Sequence, residues 1–545
     1  MATQRDTATL REAVRSSAFT PATRDIDGLV ALLADDDDEI ARGAELAIVR
    51  AGTGTPAAVV ARLVLRLEGA ASESRAGVLK ILGRLAPKDA ATAHAVLAGL
   101  SDKDPRVQKA AANALGRLQQ SEARAEFAAA LVKLWDDAPE LPVARAVAEA
   151  MGKLGVAEAS ERLQSMHDGD AELSRIARNA TTMLQRDTSR GEASEVDGDR
   201  AGDFDAELVM LCRAGLESIV LGEVLEKVPT ARATRVGPQG SGQVMATWRG
   251  ALRELFALRT ILQFAFALPP EPVANDGDLE AACVRALSSD AARQIFETWT
   301  KGTLRYRLDW VGKGHRRGTT WSVVHALAER MPTWVNDPTS STWQVSIRVS
   351  DGAVRVLLTP KKLTDPRFVY RLRDVPAASH PTLAAALVRM SGIRDDDVVW
   401  DPFVGSASEL VERARAGAYK ALIGSDLDAE ALVAARANVE AAGLEAVTLE
   451  PGDATTHSPV GVTRIITNPP MGRRVARDGS LAELLDRFTD HAAKVLQPGG
   501  RLAWLSPLGG RTAARAEANR LRVTVRQSVD MGGFHAELQV WEKPA

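Results

Sequence analysis

Cysteine is nearly absent, with only Cys212 and Cys283 in 545 residues. Two thiols cannot build a four-thiolate metal knuckle and can close at most one disulfide. The expected state is two buried, reduced side chains, in a protein of the cytoplasm with no bound metal. Aromatic residues are also scarce, at 4% of the chain. No stretch approaches the ~20 uninterrupted apolar residues that span a bilayer, and the first twenty residues lack an apolar signal core, so no membrane association is expected. A strong charge of one sign is missing too. The formal net charge of -3 excludes uniform coating of nucleic acid and confines any such binding to a local patch. What remains is an ordinary soluble composition, 45% hydrophobic and 26% charged, on a chain too long for a single core.

From about Arg24 to Gln185 the pattern is helical, rich in Ala and Leu, and repetitive. Ile81-Leu82-Gly83-Arg84-Leu85, Ala114-Leu115-Gly116-Arg117-Leu118 and Ala150-Met151-Gly152-Lys153-Leu154 end successive units. Their glycines lie 33 and 36 residues apart, a period that belongs to helical-hairpin solenoids. The turn Asp102-Lys103-Asp104-Pro105-Arg106-Val107 resembles the signature of HEAT-like repeats, in which Asp caps a helix and Pro occupies its first turn. About five units are expected over 1–186. They show no basic stripe in the linear sequence, which suits a protein partner more than RNA.

Residues 187–203 hold six Asp/Glu and two Arg with almost no apolar side chain, and read as a solvated acidic linker. Beyond it, strands and helices alternate through an α+β region, 204–375. Strands are predicted at Glu207–Leu211, Gln243–Trp248, Leu304–Trp310, Gln344–Val349 and Val354–Leu358. Helices are predicted at Leu216–Val228 and Leu252–Phe266. Trp310, Trp334 and Trp343 are read as core. From 376 to 545 the alternation becomes regular enough for a doubly wound α/β sheet of Rossmann type.

The chemistry concentrates in that last segment. Val398 to Glu409 reads as a buried strand, a turn of small residues and a helix start, a form that brings backbone N–H groups close to a ligand. Ala421–Asp426 is a strand ending in an acid 25 residues after Asp401, and a carboxylate there can accept from both hydroxyls of a ribose. Val447–Asp453 ends in a second acid, placed to accept from an adenine amino group. Then come Arg464–Thr467 and Asn468-Pro469-Pro470-Met471-Gly472. Asp428 is an expected N-cap, His380 an expected helix-start side chain, and His457 an expected solvated one.

In order and spacing these motifs resemble the class I S-adenosylmethionine-dependent methyltransferases, and Asn468-Pro469-Pro470 marks the branch that acts on amino groups. More narrowly, three segments resemble the THUMP-domain guanine-N2 RNA methyltransferases: Asp401-Pro402-Phe403-Val404-Gly405-Ser406, Pro381-Thr382-Leu383-Ala384-Ala385 and Gly215-Leu216-Glu217. The resemblance implies S-adenosyl-L-methionine held by Asp401, Phe403, Gly405, Ser406, Asp426, Asp453 and Thr382. It implies a catalytic segment Asn468, Pro469, Pro470 and Met471, whose oxygens accept from the target amine. An aryl amine is a poor nucleophile because its lone pair is delocalised, so orientation supplies most of the catalysis. The chain departs from the family at Ala407 for Gly, Ser408 for Thr and Met471 for an aromatic residue. Phe403 and Phe534 are the alternative clamps for a base.

From Lys301 to Val375 there are 14 Lys/Arg against 6 Asp/Glu, which predicts the RNA face, with Lys313, Arg316 and Arg317 in a mobile loop. Arg473 and Arg474 are further phosphate contacts. The expected activity is methylation of guanine N2 in structured RNA, tRNA ahead of rRNA. The alternatives are DNA amino methylation, protein glutamine methylation, or a non-catalytic adaptor.

Overall fold

The computed structural model describes the chain except residues 1–4, 119–122, 157, 159–161, 164–169, 189–190, 239, 313–315, 377 and 472–479, and the side chains of 185–188, 276 and 480. The chain divides into two compact units, Met1–Glu192 and Ala193–Ala545.

The first unit is helical throughout. Helices Asp38–Gly54, Ser72–Leu85, Pro105–Leu115, Leu141–Leu154 and Ala171–Thr188 form an inner row. Pro56–Leu67, Ala90–Ala98 and Arg124–Asp136 return between them. The turn at 102–107 behaves as the sequence predicts. The Asp104 carboxylate accepts from the Arg106 N–H and Pro105 opens the helix, while Arg75 grips Asp102 through two hydrogen bonds of 2.9 and 3.0 Å. The repeat glycines have a packing cause. A Cβ on Gly83 would lie 2.8 Å from Ala114 Cα, one on Gly116 3.2 Å from Ala150 Cα, and one on Gly152 2.5 Å from Ala180 Cα. Each glycine therefore lets the next inner helix approach closely, and the pattern is a stacking code.

Among its described residues the second unit carries two large sheets and a two-stranded one. Across the larger one, the strands run Arg232–Val236, Gln243–Trp248, Ala206–Leu211, Gln263–Ala267, Ala353–Pro360, Trp343–Ser350, Arg305–Trp310 and Val335–Asn336, with Glu271–Pro272 pairing beside Ala353–Pro360. The helix predicted over Leu252–Phe266 is instead a short 3-10 turn, Leu252–Ala257, followed by the strand Gln263–Ala267. The buried Glu223 carboxylate accepts the N–H groups of Arg259 and Thr260 and breaks the helical ladder there. The predicted loop around Arg316 and Arg317 is also shorter than expected, because Arg317 opens a helix that runs to Arg330. Trp343 and Trp334 are core, as predicted.

The acidic segment read as a linker is folded over much of its length. Ser194–Val196 pairs antiparallel with Thr300–Gly302, and Val196 is buried. The Trp299 indole donates to the Arg200 carbonyl at 2.9 Å. Backbone pairing, which no side-chain pattern announces, overrides the acidic composition. Packing likewise does not separate the α+β region from the last 170 residues, since one apolar core runs through both. Arg259 grips Glu412 through bonds of 2.5 and 2.8 Å, and the Tyr370 hydroxyl donates to the same carboxylate at 2.8 Å.

The second sheet is doubly wound. Numbering its strands in chain order (Val398–Asp401, Ala421–Asp426, Val447–Pro451, Arg464–Thr467, Arg501–Ser506, Arg522–Asp530, His535–Glu542), the spatial order is 3-2-1-4-5-7-6. The first five are parallel and the seventh is antiparallel to its neighbours. The order reverses between the first and fourth strands, the position where open α/β sheets hold ligands beyond their carboxyl ends. Asp401 ends the first strand and Asn468 follows the fourth.

Candidate active site

The loop after the first strand is shaped by two left-handed residues. Gly405 has φ +48° and Ala407 φ +63°. This region favours glycine, which accounts for the glycine the family places where Ala407 stands; here a buried alanine is held in that conformation. Gly405 N–H donates to Asp426 Oδ2 at 3.0 Å, and the other oxygen of Asp426 accepts from Asp428 N–H. Each oxygen thus uses one lone-pair direction and keeps capacity for a further donor. On the third strand's exit, Asp453 Oδ1 accepts from the backbone and hydroxyl of Thr455 at 2.8 and 2.7 Å. These bonds hold its carboxyl below the usual range, so it remains an ionised acceptor.

Asp401 is fully buried. Its Oδ1 accepts from the Thr467 hydroxyl at 2.6 Å and from Phe403 N–H at 3.2 Å, while Oδ2 has no partner. Glu409 is buried nearby. Burial pushes both carboxyls above the ordinary carboxylate range, and the Glu409 charge raises Asp401 further.

Sequence reasoning missed Ser379, which joins Glu409 to Asn468. The Ser379 hydroxyl donates to Glu409 Oε1, and its oxygen accepts from Asn468 Nδ2 at 2.9 Å. With the hydroxyl proton given to the carboxylate, the amide nitrogen of Asn468 is the end that faces Ser379. Asn468 Oδ1 is left buried and without a partner. A buried unpaired carbonyl costs roughly 1–3 kcal/mol, so this oxygen is set for a donor supplied from outside the chain.

Pro469 is buried, and Met471 is half-buried against the core. Phe403 meets Phe488 edge-on with centroids 5.3 Å apart, and Phe534 is half-buried. Ser406 is buried with its carbonyl accepting from Asn438, and the Thr382 hydroxyl is taken by His380 at 2.9 Å. His380 itself caps its helix, and burial holds its imidazole pKa below the ordinary value. His457 is half-buried and bonded to Glu450 at 3.0 Å rather than freely solvated, and Asp428 caps its helix as expected. Arg316 stacks over Trp310 at 5.4 Å, and Arg317 is exposed. Lys313, Arg473 and Arg474 lie outside the described residues. The basic surplus of 301–375 is partly structural, since Arg305 and Arg367 are buried and paired with Asp337 and Asp365. Among the described residues no group of His, Cys, Asp or Glu is arranged to hold a metal, and no helix is long and apolar enough to cross a membrane.

Residues 369–537 match the family described as RMKL-like, methyltransferase domain, and residues 60–152 match HEAT repeats. The chain is 32% identical over 209 residues to the tRNA (guanine(6)-N2)-methyltransferase of Thermus thermophilus, a match covering 37% of this chain and 59% of that one. It is 30% identical over 134 residues to the tRNA (guanine(10)-N2)-dimethyltransferase of Methanothermobacter thermautotrophicus, covering 24% and 39%. The chain thus spans less than two thirds of the length of these relatives. The crystal structure of TrmN from Thermus thermophilus shares the fold over 62% of this chain and 99% of that one, at 23% identity and a TM-score of 0.52. One chain thus joins a segment similar to the RMKL-like methyltransferase domain, residues 369–537, to a segment similar to HEAT repeats, residues 60–152.

Proposed function

We propose that the chain methylates the exocyclic N2 of guanine in structured RNA, tRNA ahead of rRNA, using S-adenosyl-L-methionine. The carrying observation is Asn468 Oδ1, buried, unpartnered and oriented by Ser379 at the sheet's point of reversal. The tRNA specificity of the two relatives supports the substrate class, and the surviving cations of 301–375 support a THUMP-like RNA-binding role for the α+β region. We place the protein in the cytoplasm, a reading supported by Cys212 and Cys283. Both are free and buried, and burial pushes their thiols up to about 12.

The residues present fit the cofactor. Asp426 has free acceptor capacity for two ribose hydroxyls, Asp453 is an ionised acceptor for an adenine amine, and Asp426 stands between Asp453 and the unpartnered Asp401 Oδ2 in chain order and sheet position. S-adenosyl-L-methionine supplies an electrophilic methyl group on a sulfonium. The protein's own work is orientation. Asn468 Oδ1 and the Pro469 carbonyl accept from the two N–H bonds of the amine and turn its lone pair out of conjugation. Prolines at 469 and 470 lack N–H donors of their own and hold this backbone rigid. Transfer would break the methyl's bond to the sulfonium, leaving the electron pair on a neutral thioether, and the amine nitrogen would shed one N–H proton to water.

The test combines two variants with nucleoside mass spectrometry of a tRNA transcript. Asp426→Ala is expected to weaken cofactor binding at least tenfold by calorimetry, since a charged hydrogen bond is worth about 1.5–3 kcal/mol. Asn468→Ala is expected to keep cofactor affinity and lose N2-methylguanosine formation. Full turnover by Asn468→Ala would refute the mechanism, and a different methylated nucleoside would refute the substrate.

A further inference from the structure

The linear sequence shows no basic stripe in the solenoid, but folding makes one. The inner helices from Asp38–Gly54 to Leu141–Leu154 line a groove whose walls carry seven Lys/Arg against three Asp/Glu. The unit that holds it is acidic, with 25 Lys/Arg against 28 Asp/Glu over residues 1–192. The groove's surplus is therefore a segregation of charge, set against a unit of the opposite sign.

The repeat generates the pattern. Arg84, Arg117 and Lys153 each follow the glycine at which adjacent inner helices touch, Arg84 and Lys153 in the last turn of their helices and Arg117 just past the end of its own, so they hold equivalent places in successive repeats. Neighbouring packed helices lie ~8–10 Å apart, so these repeat-related cations recur along the groove as a ladder. Glu45 is bracketed by Lys80 and Arg84 at 2.7 and 2.8 Å, and Glu149 is taken by Lys153. Among the described residues Arg42, Lys109 and Arg117 are exposed and make no ion pair. Small residues such as Gly77, Ala110 and Ala114 also line the groove. Among the described residues no aromatic side chain lines the groove, and its one exposed large apolar side chain is Leu46. A folded protein partner would find none of the buried aromatic anchors that dominate such interfaces. A polyanion needs only the regularly spaced cations.

We infer that this groove binds the sugar–phosphate backbone of the RNA that the second unit methylates, without reading its sequence. The inference rests on the RNA reading above. It is tested with the full-length protein and an unmodified, fluorescently labelled tRNA transcript, by measuring affinity against salt concentration. Lys109→Glu combined with Arg117→Glu is expected to weaken binding at least tenfold and to reduce the slope of log K against log salt by between about one and two, because each lost phosphate contact removes ~0.7–0.9. The neutral pair Lys109→Gln and Arg117→Gln should give a smaller loss in the same direction. Lys133→Glu, in the returning helix Arg124–Asp136 and outside the groove, should change neither quantity. An unchanged slope in the double reversal, or an equal loss in Lys133→Glu, overturns the assignment. Tighter binding of poly-glutamate than of the transcript at the same salt does so too, by assigning the groove to an acidic protein. Methyl transfer by the unsubstituted protein to the same transcript is measured alongside. If transfer is absent while groove-dependent binding persists, the functional reading fails and the groove assignment stands.

Discussion

At Asn468 the two ends of one amide have different tasks, and a serine 89 residues away in sequence separates them. Ser379 gives its proton to Glu409 and accepts from Asn468 Nδ2, so the opposite end, Oδ1, is the free acceptor. Removing the hydroxyl lets the amide rotate between two orientations of similar energy. A neutral hydrogen bond nets about 0.5–1.5 kcal/mol, so Ser379→Ala should take the amide from one favoured orientation to both and lower the single-turnover methylation rate by roughly twofold. Cofactor affinity should not change, because Ser379 meets none of Asp401, Asp426 or Asp453. An equal loss in cofactor affinity would show that Ser379 supports the whole loop, and an unchanged rate would show that Asn468 needs no such support.

At the scale of elements, what the sequence revealed depended on whether the signal was local. Parallel buried strands read as apolar runs, and an acid or Asn-Pro-Pro closing each run put Asp401, Asp426, Asp453 and Asn468 at the correct strand ends. Glycines 33 and 36 residues apart gave the solenoid's period. Ser379 was silent because only folding brings it to Asn468. The break at Arg259 was hidden because its cause, Glu223, lies 36 residues earlier. The basic ladder was invisible for the same reason that the repeat was visible, since its members sit one per repeat. The glycines allow a direct test of the stacking code. Gly152→Ala places a methyl 2.5 Å from Ala180 Cα, and overpacking of that kind costs about 1–3 kcal/mol. Gly54→Ala meets nothing within 4 Å and should be neutral or stabilising by up to about 1 kcal/mol, alanine being the better helix former. In denaturant melts Gly152→Ala should be destabilised and Gly54→Ala should not; equal shifts would mean that the glycines do not set helix spacing.

For the molecule as a whole, the boundary between units decides what each can do alone. Composition placed a solvated linker up to residue 203, yet residues 193–203 are stitched into the second unit. Thr303 N–H donates to the Ala193 carbonyl, Asp197 N–H to Trp299, Gly202 N–H to Gly250, and the Ser194 hydroxyl pairs with Thr342 at 3.1 Å. Deleting this segment would expose Val196's packing surface, at about 1.5–3 kcal/mol for a fully buried side chain. It would also strip the buried Trp299 indole N–H of its acceptor, at roughly 1–3 kcal/mol. A chain starting at Ala193 should therefore fold and bind S-adenosyl-L-methionine as the full-length protein does. One starting at Phe204 should melt about 5 °C lower or more, since each kcal/mol is worth about 2–4 °C in domains of 150–250 residues and less in larger ones. RNA affinity separates a second effect. The Ala193 chain lacks the basic groove, so its transcript binding should weaken and its salt slope flatten relative to full length, with the rate at saturating RNA retained. If the two truncated chains melt together, the segment is a linker after all. If the Ala193 chain binds the transcript with full affinity and slope, the solenoid contributes nothing to RNA recognition.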